Sequence, residues 1–177
     1  MFIALIGPCG CGKSTLGTEL AKRFGWTFLD ADDFHSEESR RKMSQGIPLS
    51  DDDRIPWLHA IYTRLLQHEN GVLACSALKK AYRDILIRGS GDNGLENEIV
   101  FIQLKVSRDT LKKRIETRKN HFMPASLIDS QLRIVENLDK HEVGFIVNCE
   151  QPVECVINEI SDKLPNWIKC LHEWNTS

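Results

Sequence analysis

The residues best suited to chemistry begin with Gly7-Pro8-Cys9-Gly10-Cys11-Gly12-Lys13-Ser14, a G-x-x-x-x-G-K-S/T pattern. Gly7, Gly10 and Gly12 allow a tight turn whose N–H groups converge on phosphate oxygens. The helix start at Thr15 adds a favourable dipole. Lys13 is expected to reach the outer phosphates, and Ser14 to offer its hydroxyl to Mg²⁺. A second set is Asp30-Ala31-Asp32-Asp33-Phe34-His35. Asp32 suits orientation of a substrate hydroxyl and acceptance of its proton. Asp30 suits organisation of Mg²⁺ through water. Asp33 either shares that task or caps the next helix, and His35 either contacts substrate or packs beside that helix.

Cations form a third set. Arg54 has the planar guanidinium that grips a carboxylate, with Lys79 and Arg83 as further candidates. Their alternative role is structural ion pairing. Arg114 and Arg118 are four residues apart and share a helix face, either against ATP phosphates or as a solvated basic surface with Lys112 and Lys113. His121 is a candidate substrate contact from a closing lid.

Short apolar segments position these groups. Residues 2–6 read as a strand ahead of the glycine-rich turn, and 15–24 as a helix stopped by Gly25. Trp26, Phe28 and Leu29 suggest a second strand ending at Asp30, so the aspartates lie beyond a strand's C-terminus, where open parallel sheets place their ligand loops. Helices are expected from Ser36 to near Gly46 and from Ser50 onward, with Pro56 accommodated in a first turn and Trp57, Leu58, Ile61, Leu65 and Leu66 buried. Further strands are expected at 72–75, 99–104 and 145–147, with helices after them. The last helix is expected over 153–164, broken by Pro165. Five strands separated by helices indicate an α/β protein with a parallel sheet. No internal domain boundary is evident. The segments 36–68 and 118–125 are expected to be mobile insertions over one site.

Composition narrows the function. A net charge of -2 gives no reason to expect nucleic acid as a partner. No apolar stretch is long enough for a membrane span, and no basic leader precedes the first strand, so a cytoplasmic location is expected. Six cysteines without C-x-x-C spacing read as reduced thiols. Cys9 and Cys11, near a helix N-terminus, are either redox-sensitive or tolerated loop thiols. There is no N-K-x-D guanine-reading segment, no clear D-x-x-G switch, and little length for a mechanical ATPase. Those features favour a small-molecule kinase.

Several longer segments carry a resemblance. They are residues 29–35 (LDADDFH), 48–57 (PLSDDDRIPW), 75–84 (CSALKKAYRD) and 118–122 (RKNHF). With the phosphate loop, they resemble the gluconokinase family, small kinases related to shikimate and adenylate kinases. The resemblance extends over nearly the whole chain. It implies a single three-layer P-loop kinase domain, residues 1–177, with strand order 2-3-1-4-5, a movable lid and often a homodimer. It implies ATP- and Mg²⁺-dependent phosphorylation of D-gluconate at its 6-hydroxyl. Asp32 matches the carboxylate near that hydroxyl, Arg54 and Arg83 match substrate-side cations, and Arg118 matches a lid arginine that balances charge with Lys13. Lys79, Tyr82 and His121 lie in matching segments. Pro8, Cys9 and Cys11 depart from the usual loop, and Pro8 removes one N–H donor. Ser50, Asn120 and Leu132-Arg133-Ile134 also replace more typical residues. The competing expectations are a kinase for another hydroxy acid, such as shikimate, and an inactive nucleotide-binding regulator.

Overall fold

A computed structural model describes residues 1–89, 94–95, 98–117 and 126–174. The chain runs β1 (Phe2–Ile6), α1 (Lys13–Phe24), β2 (Thr27–Asp30), a 3₁₀ turn (Ala31–Phe34), α2 (Glu37–Ser44), α3 (Asp51–Leu65) and β3 (Gly71–Cys75). It continues through α4 (Lys80–Arg88), β4 (Ile99–Lys105), α5 (Arg108–Thr117), α6 (Ser126–Ile134), β5 (Gly144–Asn148) and α7 (Val153–Trp174). All strand pairs are parallel, in the order β2-β3-β1-β4-β5. This is the expected order.

The three layers follow from alternation in the central strands. Every residue of β1 is buried, and neighbours point to opposite faces. Ile3 and Leu5 join one core with Leu16 and Leu20 of α1, Leu111 of α5, and Ile157 and Ile160 of α7. Phe2, Ala4 and Ile6 join the other with Trp57, Leu58 and Ile61 of α3 and Leu86 of α4. β4 repeats the pattern, with Val100, Ile102 and Leu104 on the first side and Ile99 and Phe101 on the second. The sheet is thus fixed between two helical layers, with the loops after β1, β2 and β3 at one edge.

Local chemistry explains where helices begin. Ser36 caps α2 by accepting the Ser39 N–H at 3.1 Å. Ser50 and Asp53 form a reciprocal capping box at α3, and three aspartates complement its N-terminal dipole. Two proline expectations need correction. Pro56 lies at the sixth position of α3, past the first turn, and Pro165 lies inside α7. A proline removes one intrahelical donor, but buried side chains after Pro56 and around Pro165 hold each helix. Trp57, Leu58 and Ile61 anchor α3. Ile160 and Leu164 precede Pro165, and Trp167 beyond it stacks on Phe145 with ring centroids 5.9 Å apart. Leu66 is exposed where α3 ends, so it is not part of the buried face. Among the described residues, no helix is long and apolar enough to cross a membrane.

Candidate active site

The glycine-rich turn joins β1 to α1 as expected. Gly7, Gly10 and Gly12 have φ values of 146°, 82° and 106°, in the region where a side chain is strained. Gly12 is the N-cap of α1 and provides no side-chain cap. The first N–H groups of that helix have no intrahelical acceptor, so they face the loop's concavity. Lys13 folds over the turn, donating to the carbonyls of Gly7 at 2.9 Å and Pro8 at 3.0 Å. Burial opposes its ammonium charge, but the fields of Cys11, Cys9, Asp32 and Cys75 outweigh that effect and raise its pKa. Lys13 therefore remains protonated at neutral pH.

Asp30 ties this loop to the second set. One of its oxygens accepts the Ser14 hydroxyl at 2.7 Å, and the other accepts the Asp32 N–H at 3.1 Å. The 3₁₀ turn is clamped from two further sides. Trp57 Nε1 donates to the Ala31 carbonyl at 2.7 Å, and Arg40 donates to the Asp32 carbonyl at 2.8 Å. This leaves the Asp32 side chain 58% exposed on a fixed backbone.

Two cavities meet here. The larger, about 290 Å³, runs from residues 9–16 past Arg114 to Gln151, Val153 and Val156. The smaller, about 50 Å³, includes His35, Arg54, Trp57, Ser76 and Gln131. Cys9, Lys13 and Asp32 line both. Ser14, Thr15 and Asp30 face the larger cavity with Arg114. Arg114 is held by the carbonyls of Cys149 at 2.7 Å and Cys11 at 3.4 Å.

The cation set divides. Arg54 lines the smaller cavity and donates to the Leu49 carbonyl at 2.6 Å. Lys79 instead grips both oxygens of Asp51, at 2.9 and 2.8 Å, and the Tyr82 hydroxyl donates to the same carboxylate. These two residues fix the start of α3 and line neither cavity. Arg83 departs most from expectation. It is fully buried, pairs with Glu142 through Nε and, at 2.9 Å, through Nη2, and also donates to the Glu136 carbonyl at 3.2 Å. A guanidinium enclosed in this way cannot greet a substrate, so Arg83 is structural. Arg118 and His121, with the lid segment 118–125, lie outside the described residues.

His35 belongs to the smaller cavity. Its ring stacks on Trp57 at 4.4 Å, and its side chain is 5% exposed. Burial, then the charges of Arg40 and Arg54, push its pKa down to about 4. The unfolded chain therefore binds this proton more tightly, with a pKa of about 6.5. His35 should contribute fully to stability above pH 6.5 and progressively less down to pH 4, by up to about 3 kcal/mol. Urea melts across that range are expected to show a shallower acid loss for His35→Phe, which retains the stack. An identical pH slope in both proteins would refute this.

The smaller-cavity face of Gln131 and the far end formed by Gln151, Val153 and Val156 had no sequence signal in the motif reading. Gln151 could have been found by its place just past β5. Cys11, Cys75 and Cys149 are buried free thiols, and burial pushes Cys75 and Cys149 up to about 12, which makes them unreactive. Cys9 is half-buried.

Similarity to known proteins extends over most of the chain. A family profile described as shikimate kinase matches residues 9–160. A probable gluconokinase of Xenopus tropicalis is 38% identical, with 93% of each chain covered. The chain belongs to the shikimate kinase and gluconokinase family. An Arabidopsis thaliana gluconokinase is 40% identical, covering 93% of this chain and 92% of its own. The crystal structure of a gluconokinase from Sinorhizobium meliloti superposes with a TM-score of 0.84 at 39% identity, covering 97% of this chain and 95% of that one. The fold and the phosphate loop are therefore those of a kinase family.

Proposed function

We propose that the protein transfers the γ-phosphoryl group of ATP to the 6-hydroxyl of D-gluconate, giving 6-phospho-D-gluconate and ADP. The observation that carries this reading is the sharing of Lys13 and Asp32 by two cavities, in a chain similar over nearly its full length to gluconokinases. The larger cavity takes the nucleotide, with its phosphates over the α1 N-terminus and its base toward Gln151, Val153 and Val156. The smaller cavity takes the sugar acid, with Arg54 toward the carboxylate and Asp32 toward the accepting hydroxyl.

Asp32 orients the hydroxyl and accepts its proton as the oxygen bonds to the γ-phosphorus. The bond from that phosphorus to the bridging oxygen breaks, and ADP departs. Lys13 and Arg118 balance charge on the transferring group. Ser14 and Asp30 fit Mg²⁺, because this ion takes one or two protein oxygens and completes its shell with water and phosphate. When bound, Mg²⁺ neutralises phosphate charge.

The helical region 36–68 and the lid 118–125 are proposed to close over the substrate once it is bound. The protein is further proposed to work as a cytoplasmic homodimer. A coupled ADP-release assay with Mg²⁺, ATP and a panel of hydroxy acids tests the main reading. Gluconate-dependent turnover with a 6-phosphate product is expected. Preference for shikimate, or nucleotide binding without turnover across the panel, would overturn it.

A further inference from the structure

The N–H groups of the phosphate loop do not all face the same way. Pro8 has none, and the Cys11 N–H turns back to the Pro8 carbonyl at 3.3 Å. The Cys9 N–H is accepted by Gln131 Oε1 at 2.7 Å, across 122 residues of sequence. Cys9 is one of only three residues that line both cavities among those described, so this peptide stands beside the route the phosphoryl group takes. Gln131 lines the smaller cavity on the acceptor side of that route.

The chemistry of the carboxamide fixes its orientation. An N–H can be accepted only by Oε1, so Nε2 and its two donors occupy the other branch of the amide. We infer that Gln131 is a positioning residue for phosphoryl transfer: it holds the Cys9 peptide through Oε1 and thereby turns its Nε2 donors toward the smaller, acceptor-side cavity. This rests on the phosphoryl-transfer reading above and assigns that reaction a residue the motif pattern does not contain.

The supports of α6 agree with a positioning role. Leu127 packs with Met43 and Leu49 on the acceptor side, while Asp129 pairs with Arg108 of α5 at 2.7 Å. The helix is therefore attached to both sides of the site, and Gln131 is its direct bond to the phosphate loop. Movement of α6 during substrate binding would carry the Cys9 peptide and the Gln131 donors together.

Two variants test this against a purely structural bond. Gln131→Leu removes acceptor and donors. It is expected to lower kcat about a hundredfold, while KM for ATP and gluconate each change by less than about threefold. Gln131→Glu retains an acceptor but loses the donors and adds charge when ionised. Protonation restores a carbonyl acceptor and one O–H donor. Its kcat relative to wild type should therefore rise at least about fivefold from pH 8 to pH 5.5, as the carboxyl takes up a proton. A bond that merely pins α6 would lower melting temperature without that relative recovery. The inference fails if Gln131→Leu keeps kcat within about threefold of wild type, or if the Gln131→Glu ratio is flat with pH. Should the leucine variant not melt cooperatively, the glutamate ratio decides alone. Wild-type turnover in the same assay separates the two readings. Its absence defeats the gluconate reading and this inference together, whereas normal wild-type turnover with unaffected variants defeats only the role of Gln131.

Discussion

Asp32→Asn is expected to lower kcat for gluconate phosphorylation about a thousandfold, with little change in KM for ATP. Asparagine keeps the shape of the side chain but accepts no proton at neutral pH. The backbone it hangs from is held independently of that carboxylate, by Asp30 at the Asp32 N–H, by Arg40 at its carbonyl and by Trp57 at Ala31. The variant should therefore fold and bind nucleotide as the parent does. Steady-state kinetics with saturating ATP, alongside nucleotide titration, measure both halves. A kcat within tenfold of wild type would mean that the hydroxyl proton leaves by another route. Loss of nucleotide binding would mean that the Asp32 carboxylate serves the nucleotide rather than the accepting hydroxyl.

The largest stability effect is expected at Glu142. Glu142→Ala leaves the Arg83 guanidinium buried without its carboxylate, at a cost of about 3–5 kcal/mol. For a chain of this size that lowers the melting temperature by roughly 10 °C. Replacing both partners, as Arg83→Met with Glu142→Leu, removes the charge along with its counter-ion and should recover a large part of the loss. The double variant also separates two roles for Arg83. Enclosure in the fold predicts an unchanged KM for gluconate once the protein is folded. A tenfold rise in that KM with normal stability would return Arg83 to the substrate site. A loss below 1 kcal/mol in Glu142→Ala would mean that the pair contributes little.

These two residues also mark what a sequence can reveal. The placement of Asp32 is legible because its setting is local: a short apolar strand ends at Asp30, and ligand loops follow strand ends. The phosphate loop is legible for the same reason, since eight consecutive residues specify strand, turn and helix. Strand order was not written in periodicity and came from the likeness of longer segments to a known family. Arg83 misled because a cation in a polar segment advertises its charge but not its partner, which lies 59 residues away. Gln131 was missed for a related reason, as its bond to Cys9 spans 122 residues and leaves no local pattern. Pro165 was read as a stop because a missing donor is visible in sequence, whereas the stacking of Trp167 on Phe145 is not.

The two bonds of Asp30 have a consequence for which substrates fit. Its opposite oxygens hold Ser14 and the Asp32 peptide, so one short side chain sets the span between the Ser14 hydroxyl and the turn that carries Asp32. Under the proposed function that span acts as a gauge. Shifting the Asp32 backbone inward to meet a shorter hydroxy acid would strain the Asp30 bond to Ser14. On that reading the phosphate end of the site, as well as Arg54, would disfavour shorter chains.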